Sequence, residues 1–166
     1  MASEMEKSES LSNFLSAWKR LTGGIMAVEV HYAPDDLMQS LREANGAQPG
    51  QCFANCVIAV LGLRSSRKLR YALGFLTAPG HAPVAHAWLV QEEVEGVIYL
   101  DPTLQAASQL WRERRREFIY EQRYTFTREQ LLQWFKKNYA DRQLNELGIP
   151  EGEIRGPILN MSGDLK

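Results

Sequence analysis

Apolar residues along this chain change period several times, and each change marks an element. Leu11, Phe14, Leu15, Trp18 and Leu21 recur at helical spacing, with Ser10 or Ser12 as a cap and Gly23-Gly24 as the stop. The polar residues 1–9 before them predict a flexible N-terminus. Ile25 to Tyr32 reads as a short strand. Pro34-Asp35-Asp36 then opens a helix that carries Leu37, Met38 and Leu41 and ends near Asn45-Gly46. Turn residues make Gly46-Ala47-Gln48-Pro49-Gly50 a loop. Cys52 to Leu63 is apolar nearly all round, which suits a buried central helix.

Beyond a polar connection at Ser65 to Lys68, the pattern turns to strands. Arg70 to Leu76, Ala85 to Gln91 and Val97 to Leu100 are predicted strands, with Pro79-Gly80 and Glu95-Gly96 marking the turns. Leu104 to Arg116 predicts a helix. From Glu117 to Thr125, Phe118, Tyr120 and Gln122 alternate with Ile119, Glu121 and Arg123, which is a strand pattern. Thr127-Arg128-Glu129-Gln130 has the form of a capping box and starts a helix that runs to about Tyr139. The tail from Gly148 is rich in Gly and Pro and reads as irregular. No repeat or linker interrupts the pattern, so residues 10–166 are expected to form one α+β domain.

Composition narrows the function classes. A chain of 166 residues with 45% hydrophobic and 23% charged residues is an ordinary globular domain with enough length for a real core. Its 19 basic and 20 acidic residues nearly cancel, so no nucleic-acid or membrane partner is expected. Arg112 to Glu117, and the cluster Arg64, Arg67, Lys68 and Arg70, read as solvated faces. Two cysteines, Cys52 and Cys56, sit four apart on one predicted helix, where a disulfide closes badly. Reduced thiols, an acidic polar start without an apolar leader core, and no long apolar run point to a cytoplasmic protein.

The chemistry concentrates at three element boundaries. Cys52 follows Gly50-Gln51 and opens a helix, whose unpaired N–H groups and dipole favour a thiolate and can hold an oxyanion. His86 lies on one strand and Asp101 at the end of the next. If residues 92–95 form the hairpin loop, Gln91 faces Gly96 and His86 faces Asp101. Directly opposed Cβ atoms are roughly 4.5–5.5 Å apart, close enough for a carboxylate to hold an imidazole N–H. Nucleophile, base and orienting acid are then present together. Taken singly, Cys52 reads as a small buried hydrophobe, His86 as a satisfied core histidine, and Asp101 as a cap on the Pro102-Thr103 turn.

Gly50-Gln51-Cys52, Leu61-Gly62, Arg70-Tyr71 with Gly74-Phe75, His86-Ala87-Trp88 and Asp101-Pro102-Thr103 fall in the order seen in transglutaminase-like proteins. Over residues 46–104 the chain thus resembles that branch of the papain-like cysteine hydrolase fold. The resemblance implies Cys52 as nucleophile, His86 as general base and acid, and Asp101 as the group that orients it. It also implies a central nucleophile helix packed on an antiparallel sheet. The chain departs from papain itself, whose oxyanion glutamine stands six residues before the cysteine; position 46 here is Gly. Gln48, Gln51 or backbone N–H groups alone are the candidate oxyanion donors. Trp88 is a candidate to shield the imidazole or line the acyl pocket.

Other features draw plainer readings. Asn55 is expected to hold a turn. Cys56 with His81 or His86 makes a poor zinc set, since Cys-x3-Cys lacks a second close pair, so no metal and no organic cofactor is expected. The expected function is a cysteine-dependent hydrolase or acyltransferase that acts on a peptide bond or glutamine side chain through a thioester. Protease, deamidase and transglutaminase remain equal alternatives. Its partner would be a protein or peptide substrate, and the protein a monomer. A different class also fits: an inactive papain-like domain that binds a partner through its cleft or its basic helix.

Overall fold

The computed structural model describes residues 26–63, 66–140, 143–145 and 156–166. The expected flexible start, the helix from Leu11 to Leu21, and Arg64 and Ser65 lie outside the described residues. The order of elements is β1 (Met26–Val28), β2 (Val30–His31), α1 (Asp35–Glu43), α2 (Cys52–Val57), β3 (Lys68–Thr77), β4 (Val84–Glu93), β5 (Gly96–Leu100), α3 (Pro102–Ala107), α4 (Gln109–Arg114), β6 (Ile119–Phe126) and α5 (Arg128–Asn138). This is an α+β architecture.

The six strands form one sheet in the order β1-β6-β3-β4-β5-β2. The stretch expected as one strand from Ile25 to Tyr32 splits at Glu29. Its first half pairs with β6 and its second half with β5, at opposite ends of the sheet. Six consecutive residues therefore bond to both sides, and the sheet curls to let them. The β2–β5 pair is parallel, so the sheet is not wholly antiparallel as expected.

The central helix is shorter than its apolar run. After α2 the chain continues as a π-turn, Ile58–Gly62. Wider turns of this kind disturb the regular carbonyl ladder. Here Arg128 Nη1 donates to the carbonyls of Val60 and Leu61 at 2.9 and 3.1 Å, so α5 is tied to the end of the central helix. The helix expected over Leu104–Arg116 is also broken. Ser108, extended at φ −116°, accepts from the Trp111 N–H and caps α4 as a new start. A 3-10 turn, Arg115–Glu117, follows. The capping box at Thr127 and Gln130 forms with both reciprocal bonds.

Two buried clusters lie on the two faces of the sheet. On one, Leu37, Met38 and Leu41 of α1, Cys56, Val57 and Leu61 of the central helix, and Leu131 and Phe135 of α5 pack on Leu73, Ala87 and Leu89. On the other, Trp88, Trp111, Phe118 and Tyr120 gather around Ala72, Leu76 and Val90. Of the tail expected to be irregular from Gly148, the stretch up to 155 lies outside the described residues; residues 156–166 hold no helix or strand element. Leu159 is buried in the helix-side cluster, and Pro157 accepts from the Tyr71 hydroxyl at 2.7 Å.

Candidate active site

Cys52 stands in the first turn of α2, preceded by Gln51, whose side chain does not cap the helix. Gly50 makes the approach in a left-handed conformation, φ 71°, which glycine adopts without strain. The thiol is buried, at 8% exposure. The loop before it is pinned by Asn55, one turn along α2. Asn55 Oδ1 accepts from the Gln48 N–H at 3.1 Å, and Nδ2 donates to the Gln48 carbonyl and to Thr103 Oγ1, both at 2.9 Å. One amide thus joins the loop before Cys52 to the segment just after Asp101.

His86 sits on β4 opposite Gly74 of β3. The β4–β5 register differs from the one expected. The turn is only two residues, Val94-Glu95, so Glu93 faces Gly96 and Leu89 faces Leu100. His86 and Asp101 are therefore not directly opposed. The shift from the expected register is two residues, an even number, which keeps both on the same face. Asp101 reaches His86 diagonally from just beyond the end of β5, with His86 Nε2 2.8 Å from Asp101 Oδ2. Because β5 pairs only with Leu89–Glu93, Val84–Trp88 have no strand partner on that side among the described residues. α2 packs on β4 and on α3. Cys52 is near enough to His86 to favour the charged imidazole. With Nε2 on the carboxylate, Nδ1 is the ring nitrogen left for the thiol.

Asp101 bonds in two directions. It is fully buried, caps α3 by accepting the Leu104 N–H on Oδ1 at 3.1 Å, and holds His86 on Oδ2. Its third donor was not anticipated: the Tyr120 hydroxyl, 2.5 Å from Oδ2. Tyr120 in turn accepts from the Trp111 indole N–H at 2.8 Å. Alternation placed Tyr120 on a strand face, but no pattern in the sequence ties it to a residue 19 positions away.

Burial, the largest single influence on His86, opposes its charge; the Asp101 carboxylate and then Cys52 outweigh it and push the imidazole up to about 10. At neutral pH His86 is thus an imidazolium between a carboxylate and a sulfur. Cys56 is different. Burial first, then the charges of Cys52 and Asp101, push its thiol well up, and it keeps its proton.

The remaining candidates divide. Gln48 and Gln51, in the stretch just before Cys52, are exposed. Position 46 has no room for a side chain, since a Cβ there would lie 2.9 Å from Ile58 Cγ2. Trp88 stacks near His86, with centroids 6.3 Å apart, but it is fully buried in the inner aromatic cluster. It shields the imidazole and lines no open pocket. Gly74 makes space for it, as a Cβ there would lie 2.6 Å from the Trp88 ring and 2.0 Å from the Glu121 carbonyl. His81 is exposed in the β3–β4 turn and is not at the site. No group of three or more metal-ligating side chains occurs among the described residues. A cleft of about 780 Å³ lies at the far end of the central helix, between Ala59–Leu63, Arg70 and Arg128, and none of Cys52, His86 or Asp101 lines it.

No protein-family model, curated protein or solved structure matches this chain. Among the described residues, no helix is long and apolar enough to cross a membrane.

Proposed function

We propose that this chain is a cysteine-dependent hydrolase or acyltransferase of the papain-like, transglutaminase-like kind, with Cys52, His86 and Asp101 as its triad. The observation that carries the reading is the buried imidazole of His86, bonded to Asp101 on one side and close to Cys52 on the other. In this reading the Cys52 sulfur attacks an amide carbonyl carbon. The electron pair moves to the carbonyl oxygen, where free N–H groups at the start of α2 stabilise it, joined by Gln48 or Gln51 once substrate is present. His86 gives its proton to the leaving nitrogen as the C–N bond breaks, which leaves a thioester on Cys52. Water or a second amine then attacks the thioester carbon, His86 takes up its proton, and the C–S bond breaks, which releases the acid or new amide and returns the sulfur of Cys52 as a thiolate. Asp101 holds the ring orientation throughout.

The substrate is a peptide bond or a glutamine side chain of a protein or peptide, and a reducing, cytoplasm-like setting suits the two free thiols. A peptide-glutamine library with ammonia release and peptide cleavage read together tests this: release alone marks a deamidase or transglutaminase, cleavage marks a protease. The low exposure of Cys52 favours a second reading, an inactive domain that binds a partner. Iodoacetamide near neutral pH separates the two. Fast alkylation of Cys52 ahead of Cys56 supports the enzyme, and two thiols that react only in denaturant support the binding domain.

A further inference from the structure

We infer that Tyr120, held by Trp111, is a positioning residue of this site: its hydroxyl shares the Asp101 oxygen that binds His86 and so sets how firmly the carboxylate holds the imidazolium. The inference rests on the Cys52–His86–Asp101 reading and goes beyond it.

Donor chemistry fixes the direction of the chain. An indole N–H only donates, so Trp111 Nε1 gives its hydrogen to Tyr120 Oη at 2.8 Å. The phenol hydrogen is then free to point only at Asp101 Oδ2, 2.5 Å away. Oδ1 is already taken by the Leu104 N–H. Oδ2 therefore carries two donors, Tyr120 and His86, and each draws on the same negative charge. All four side chains lie below 7% exposure, with Trp111 and Asp101 at 0%, Tyr120 at 2% and His86 at 6%, so water does not compete. Burial first, and then the Asp101 charge, keep the Tyr120 proton in place well above its usual range, so the donor persists wherever the imidazolium does.

The groups that face the pair are few. From α2 come Cys52 and Cys56, and from β6 comes Tyr120; Arg115 acts on Tyr120, and Tyr71 is coupled to the two thiols. Among these, Tyr120 is the one that touches the same carboxylate oxygen as His86. Without the phenol, all the charge of Oδ2 falls on the imidazolium. His86 then holds its proton to higher pH and gives it up less readily to a leaving amine.

The test is NMR titration of the histidine rings in the full-length chain. His31 and His81 are exposed and serve as internal references. Tyr120→Phe should raise the His86 titration by roughly one pH unit, the scale of one charge-assisted hydrogen bond. Because Tyr120→Phe leaves the Trp111 N–H unpaired and can impair folding, 3-fluorotyrosine is also placed at position 120. It keeps the shape and donates more strongly, so it should lower the His86 titration. Opposite shifts from the two substitutions establish the role, as does a downward shift from fluorotyrosine alone if Tyr120→Phe does not fold. A His86 titration that fluorotyrosine leaves unchanged overturns it. Iodoacetamide labelling of the unsubstituted protein keeps the two readings apart. Slow labelling of Cys52 beside a titration that still moves defeats the triad but not the role of Tyr120. Fast labelling beside a fixed titration defeats Tyr120 alone.

Discussion

The two faces of the curled sheet are built on different principles, although alternate residues of the same strand supply both. Ala87 and Leu89 of β4 face the helices, where hydrocarbon from α1, α2 and α5 fills the space. His86 and Trp88 face the other way, into a cluster in which Trp111, Tyr120, Asp101 and His86 are joined by hydrogen bonds. Hydrocarbon packing is non-directional and tolerates exchanges of similar volume. A buried polar network is directional, and removing one member leaves its partner unpaired. Stability and orientation are thus separated by a single step along the strand. The helix side should govern how long the protein stays folded, and the aromatic side what its thiol can do.

Cys52 is where the two faces should come apart most sharply. Cys52→Ala is expected to cut amide turnover on the order of 10⁶-fold, the scale of losing a hydrolase nucleophile, while the melting temperature barely moves. His86→Ala should lose turnover to the same extent and also some stability, because Asp101 keeps only Tyr120 and the Leu104 N–H. Activity that survives in Cys52→Ala would show that the nucleophile is elsewhere. Asp101→Asn comes next. Asparagine can still cap α3, so helix content and folding should hold, while the rate falls by about 10²- to 10⁴-fold with little change in KM. A rate near that of the unsubstituted protein would reduce the site to a Cys–His pair.

On the other face, Phe135→Ala should cost about 3–5 kcal/mol in denaturant unfolding, since the ring is fully buried. Below the unfolding transition it should leave the pH profile of Cys52 alkylation unchanged. A shifted profile would mean that the faces are coupled after all. The smallest effect is graded with pH. His86 is raised to about 10 in the folded protein, so it binds a proton that the unfolded chain begins to lose near 6.5. Its contribution is complete below that value and is lost as pH rises through about 10. Cys56 and Tyr120, also raised, act in the same direction at higher pH. The melting temperature measured between pH 6 and pH 10.5 should therefore fall, with a flatter slope in Asp101→Asn.

Elements with a strong period were legible in the sequence, and pairings between them much less so. The α5 capping box follows from Thr127 and Gln130 alone, because its bonds are local. The break at Ser108 had a signal, a capping residue inside a helical run, which the surrounding apolar residues obscured. The split at Glu29 had none: it answers to β6 and β5, both far along the chain, a matter of tertiary pairing. His86 and Asp101 come together although their register was misjudged, since an even slip preserves the face. Tyr120 was invisible because a bulge in the β3–β6 ladder, between Leu73 and Gly74, sets which residues of β6 reach the site. Period describes a strand's faces; it does not say what lies across from them.

The side chain of Asn55 has a consequence for the order in which the molecule comes into being. His86 meets Asp101 across 15 residues of chain, and Tyr120 meets it across 19. Asn55 meets Thr103 across 48. Longer closures cost more entropy and come later unless something offsets them. The imidazole and carboxylate can therefore find each other in a partly formed meander while the sulfur is still at large. Only this longer closure brings the Cys52 segment up to the pair. A chain leaving the ribosome, or one refolding from denaturant, would carry an ordinary cysteine after His86 and Asp101 have met, and pulsed alkylation during refolding should see Cys52 become reactive in a later phase than the one that orders the β4–β5 hairpin.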